Sequence, residues 1–148
     1  MLSKTVLSKT VPPQNQASLY DRIGGESGVQ RLVTLFYDNM ENTTKAEHIR
    51  SLHQADLSDS RQKLFEYFSG WFGGPSLFIN KYGHPRLKAR HNHVAVGLAD
   101  RDAWLVCLYA AMDEMKLDKD LYDDLVEKIA PMADHMRNQA DEAPLADC

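Results

Sequence analysis

Apolar residues recur along this chain in four blocks with steps of three and four. The first block is Val29, Leu32, Val33, Phe36, Tyr37 and Met40, one face of an amphipathic helix. The second is Leu57, Leu64, Phe65, Phe68, Trp71 and Phe72, with Ser58 or Asp59 where an N-cap belongs and Gly73-Gly74-Pro75 as a stop. Asp100 caps a third stripe of Trp104, Cys107, Leu108, Ala111 and Met115. Asp118 or Asp120 starts a fourth: Leu121, Leu125, Ile129, Met132 and Met136. Pro131 lies inside it and predicts a bend, since an interior proline costs ~3 kcal/mol. Ser18 caps a short helix that Gly24-Gly25 ends, and His84-Pro85 opens another, proline being favoured at the first helical position. Residues 42–55 give a weak helical signal, and 76–83 read as loop. Only HVAVG alternates, and it is too short to found a sheet. The pattern predicts an all-α protein, four main helices and a few short ones around one core.

Residues 1–17 are polar, hold Pro12-Pro13 and the near repeat LSKTV-LSKTV, and are expected to form a flexible or partly helical extension. A folded domain follows over 18–139, with a tail at 140–148. A chain of 148 residues is long enough to bury about 70% of its unfolded surface. The charges, 17 basic against 21 acidic, leave no basic stripe, so nucleic acid is not an expected partner. Cys107 and Cys148 form no CxxC pair and suggest a reducing compartment. No apolar run reaches the ~20 residues of a membrane span, and the N-terminus lacks a secretory pattern. A cytoplasmic protein is the expectation.

The residues that carry chemistry are less evenly spread. GHPRLKARHNH holds His84, His91 and His93. His91-x-His93 is a spacing metals accept, yet no third and fourth zinc ligand follows at a recognisable distance. Glu47-His48 and Asp134-His135 lack the spacing of inward-facing Glu-x-x-His di-iron pairs. Polar tips also sit on faces that should be buried: Tyr37, Trp104, and Ser60 on the same helix face as Leu64 and Tyr67. Buried Tyr and Trp need hydrogen-bond partners. Such a core is either a satisfied polar network or a ligand cavity.

SLYDRIGG, LFYDNM, WFGGP, GHPRLKARH and RDAWL, in that order from about Ser18 to Gln139, resemble a truncated haemoglobin of group II. The resemblance implies a truncated globin domain, a two-over-two helical sandwich around non-covalent haem b. It implies that His91 is the proximal ligand of the haem iron. Trp104 and Tyr37 match the distal residues that face a ligand, and His53 falls at a distal position where this group varies. Ser60 and Leu64 match two further distal positions, with a small serine where ordinary globins carry histidine. Arg90 and Lys63 would pair with haem propionates. Phe36, Phe68, Phe78, Leu87, Val94, Val96 and Met115 would be apolar lining. Tyr37 or His53 would be a sixth iron ligand when no external ligand is present.

The implied function is binding of dioxygen, nitric oxide and carbon monoxide, with consumption of reactive nitrogen or oxygen species. Nitric oxide dioxygenation and peroxidase-type chemistry are the two candidate reactions, each needing electrons from an external reductase. The alternative is a carrier, store or sensor of oxygen or nitric oxide without turnover.

Overall fold

The computed structural model describes residues 17–86 and 96–137, and among them the chain is helical without a strand. Ser18 opens helix α1 (Leu19–Ile23) by accepting the Asp21 N–H on its hydroxyl at 3.0 Å. Gly24 ends it at φ 110°, a left-handed conformation that suits glycine, and α2 (Gly25–Asn42) starts at once. The two helices touch so closely that a Cβ on Gly28 would lie 1.9 Å from the Ile23 carbonyl oxygen. The face of α2 marked by the sequence pattern is the buried face, from Val29 to Met40.

A single 3-10 turn (Thr44–Ala46) and α3 (Glu47–Ser51) fill the weakly patterned connection after α2. Helix α4 (Ser58–Trp71) begins without the expected side-chain cap: Leu57 occupies the N-cap position, and the Ser58 N–H donates instead to Asp56 Oδ1 at 2.9 Å. Asp59 lies in the first turn, where its charge suits the helix dipole. Residues 77–82, expected as loop, form α5 (Leu77–Tyr82). A helix this short shows no usable periodicity. It is held by Phe78, which is buried with its ring 6.1 Å from that of Tyr67. His84, Pro85 and Arg86 carry no helix, and the rest of the helix expected there lies outside the described residues.

Helix α6 (Leu98–Glu114) starts before the expected Asp100, which sits in the first turn and accepts the Gly97 N–H at 3.0 Å. Its buried set is Ala103, Leu105, Cys107, Leu108, Ala111 and Met112. This is wider than the expected stripe because α6 contacts α2 on one side and α7 (Lys119–His135) on another. Asp118 caps α7 by accepting the Leu121 N–H at 3.1 Å, and the helix continues through Pro131.

The α2–α4 pair lies across the α6–α7 pair. Leu32, Phe36, Met40, Phe68, Leu108, Met112, Leu125 and Ile129 meet between them, fully buried. This is a two-over-two helical sandwich. Among the described residues no helix is long and apolar enough to cross a membrane.

Candidate functional site

A cavity of about 350 Å³ opens between α3, α4, α6 and α7, within the size range of small-molecule sites. Tyr37 of α2 and Trp104 of α6 reach it from the core, and Ser60, Lys63, Leu64 and Tyr67 line it along one face of α4. The spacing 60, 63, 64, 67 is that of a single helix face. His53 enters from the connection after α3, Phe78 from α5, and Val96 from the segment before α6.

Tyr37 is 5% exposed. Its ring meets Phe36 edge-on at 4.9 Å and His53 at 6.0 Å, and Arg61 Cζ lies 5.6 Å over it. Burial pushes the Tyr37 phenol well above its usual pKa, and the Arg61 charge offsets only part of that, so the hydroxyl keeps its proton. That hydroxyl donates to the Ser60 carbonyl at 3.4 Å, a long and weak contact. Trp104 is partly buried and stands edge-on to Phe36 at 5.0 Å.

His53 is oriented by its own backbone. Nδ1 lies 2.8 Å from the Ile49 carbonyl oxygen, which can only accept, so Nδ1 carries the proton. Nε2 of the neutral ring is then an acceptor. Arg50 holds the same connection, donating to the carbonyls of Gln54 and Ala55 at 2.9 Å each and reaching Glu41 of α2 at 3.5 Å.

Among the described residues two cations line the cavity. Arg101 is bound by Asp102 at 2.9 Å and Asp134 at 2.5 Å. Lys63 meets the exposed Asp59 at 3.2 Å and lies 5.6 Å from the Tyr82 ring centroid, and keeps 44% of its side chain in solvent. The fit to a flat apolar group with carboxylates on its edge is direct: Leu64, Tyr67, Phe78, Val96, Met132 and Met136 supply apolar wall, and Lys63 supplies an available charge.

The family profile of the bacterial-like globins matches residues 18–138. The chain belongs to that family, as a group II truncated haemoglobin. It is 37% identical to the group II 2-on-2 hemoglobin of Agrobacterium tumefaciens, with a TM-score of 0.82 over 87% of this chain and 100% of that one. A group 2 truncated hemoglobin of Bacillus subtilis is 32% identical over 124 residues, 82% of this chain and 89% of the relative. The truncated oxygen-avid haemoglobin of Bacillus subtilis is 30% identical, with a TM-score of 0.76 over 82% of this chain and 100% of that one. As a globin the chain binds haem, and through it diatomic gases such as dioxygen.

In this globin the structure brings together Tyr37, His53, Ser60, Lys63, Leu64, Phe78, Val96 and Trp104 around one cavity. Phe36 and Phe68 stand behind it, fully buried in the core, and Met115 caps the far end of α6. Arg90, His91, Leu87 and Val94 lie outside the described residues. Lining residues that the sequence reading did not assign to the site are Ile49, Leu52, Tyr67, Asp100, Arg101, Met132, Ala133 and Met136. Tyr67 continues the Ser60–Leu64 face, and Met132 and Met136 lie on the apolar stripe of α7, so these carried a signal. Ile49 and Leu52, in a connection without periodicity, carried none.

Proposed function

We propose that this globin holds haem b, binds dioxygen, nitric oxide and carbon monoxide, and consumes reactive nitrogen or oxygen species with electrons from an external reductase. The observation that carries the reading is the convergence of Tyr37 and Trp104 on one cavity, two neutral N–H and O–H groups in an apolar enclosure. Haem supplies the iron at which a diatomic gas binds and electrons are exchanged. The chain's residues do the rest.

His91 would hold the haem iron. Arg90 and Lys63 would pair with the haem propionates. Leu64, Phe78 and Val96 keep water off its face. Tyr37 holds its proton at the phenol oxygen, and its long contact to the Ser60 carbonyl is weak enough to be exchanged for a better acceptor. Trp104 offers the indole N–H from the opposite helix pair. Ser60, being small, leaves the entrance along α4 open. His53 has Nδ1 engaged by the Ile49 carbonyl, which leaves Nε2 as the nitrogen for a ligand or a metal. Of the two candidate sixth ligands this favours His53, because burial keeps Tyr37 a neutral phenol.

Donors that strengthen on a ligand gaining negative charge slow its release, which suits chemistry on the ligand better than transport. The oxygen avidity in the name of the Bacillus subtilis relative is in keeping with this. The test is stopped-flow mixing of the oxygen-loaded protein with nitric oxide, followed by cycling with a reductase. Rapid conversion to nitrate over many cycles is expected. Displacement of oxygen with no nitrate formed refutes turnover and leaves a carrier or sensor.

A further inference from the structure

We propose that Tyr67 and Trp71 form a one-electron relay from the protein surface to the cavity, by which a small phenolic or enediol donor reduces a peroxide held there. The proposal rests on the haem-based reading above.

Tyr67 lines the cavity, and Trp71 follows one helical turn later on α4. Their rings are stacked, with centroids 5.3 Å apart and planes inclined by 26°. Trp71 is partly exposed, so the pair reaches from the cavity to solvent. The surrounding rings are phenylalanines: Phe78 lies 6.1 Å from Tyr67, and Phe68 and Phe72 lie 6.1 and 5.8 Å from Trp71. Phenylalanine is far harder to oxidise than phenol or indole, so these neighbours pass no charge and confine it to the pair. Tyr37 and Trp104 are also oxidisable and also reach the cavity, but their ring contacts are to Phe36 and His53. No other oxidisable ring leads outward from them among the described residues.

Reduction of ROOH to ROH and water takes two electrons and two protons. In each pass the Tyr67 phenol gives one electron and its O–H proton to the cavity, leaving a neutral phenoxyl. Burial raises its pKa to about 12, so the proton is there to be given. Trp71 returns an electron to the phenoxyl, and water at the cavity mouth returns the proton. The indole is then one electron short beneath the Lys128 ammonium, whose Nζ lies 4.8 Å from the ring centroid. A second positive charge there is unfavourable, so the indole sheds its N–H proton to solvent. The donor restores it with one electron and one proton. Two passes consume one peroxide and oxidise two donor molecules by one electron each.

The experiment treats the haem-loaded protein with limiting hydrogen peroxide and a spin trap, then maps adducts by peptide mass spectrometry and follows the radical by freeze-quench EPR. Wild type, Tyr67→Phe and Trp71→Phe are compared after their haem absorption is matched. The wild type is expected to carry the adduct on Trp71. Tyr67→Phe is expected to lose it, and Trp71→Phe to show a longer-lived tyrosyl signal. An undiminished Trp71 adduct in Tyr67→Phe means direct oxidation from solvent and overturns the relay, as does a wild type whose adducts all lie elsewhere. A chain that takes up no haem overturns the haem reading itself, and shows this in the absorption spectrum before peroxide is added.

Discussion

Tyr37→Phe separates the two roles a buried tyrosine can play, holding the fold and holding the ligand. The ring stays, with its edge contact to Phe36 at 4.9 Å and its place in the core. The hydroxyl goes. Its protein partner is the Ser60 carbonyl at 3.4 Å, beyond the range of a good hydrogen bond. The folded protein therefore loses less than the ~1 kcal/mol of an ordinary bond. A ligand that carries negative charge loses a donor worth about 1.5–3 kcal/mol. That speeds release of oxygen roughly 10- to 150-fold. The assay is the oxygen off-rate by stopped flow, with carbon monoxide as competitor, beside a thermal melt of the same samples. The expected outcome is a much faster off-rate with a nearly unchanged Tm. A large fall in Tm with the off-rate unchanged would show that the hydroxyl serves the core and would refute the donor argument.

Three further outcomes follow from the same geometry. His91→Ala is expected to abolish stable haem uptake; a retained and unaltered Soret band would exclude His91 as the proximal ligand. Gly28→Ala places a methyl 1.9 Å from the Ile23 carbonyl oxygen, a clash at the upper end of the overpacking range, ~3 kcal/mol. For a chain of this size that lowers Tm by about 6–12 °C in a thermal melt, and an unchanged Tm would mean that α1 can move away freely. Glu66 gives a pH dependence with a definite sign. Burial alone would raise its pKa, but hydrogen bonds from Gln62 and Lys81 and the Lys81 charge outweigh it and hold the carboxyl below its ordinary 4.5. The stability it contributes is complete above pH 4.5 and is lost as pH falls through the depressed value. Urea midpoints of Glu66→Gln should lie below wild type at neutral pH and converge with it on acidification. A gap that stays constant with pH would show that the ionised carboxylate contributes nothing.

Glu66 also shows where the chain was hard to read. Between Phe65 and Phe68 it occupies a position that helical periodicity alone leaves ambiguous, and nothing nearby in sequence neutralises it. It is buried because α5 packs against α4 there, and its partner Lys81 comes from α5, 2.9 Å away. The segment 76–83 looks like loop, so the element that covers Glu66 and the charge that balances it were missed together. By contrast α2 was legible in full, since one face of it meets the core from Val29 to Met40. Helix α6 was legible in place and partly in face: Cys107, Leu108 and Ala111 are buried as expected, and burial on a second side adds Ala103, Leu105 and Met112. At the site, Tyr37 and Trp104 stood out as polar tips on apolar helices. Their convergence with His53 needed the path of the connection after α3, which has no periodicity to read.

That connection is held mainly by main-chain oxygens. Arg50 grips the carbonyls of Gln54 and Ala55, and His53 leans on the carbonyl of Ile49. A carbonyl is the same whatever side chain its residue bears. Arg50 fixes the route of the loop without help from position 53, so exchanging that side chain loses one bond, to the Ile49 carbonyl, and the position behaves as an interchangeable socket. A phenol, an imidazole or a hydrocarbon ring can be installed there with the frame around it intact, altering what the chamber does to a guest without rebuilding the chamber.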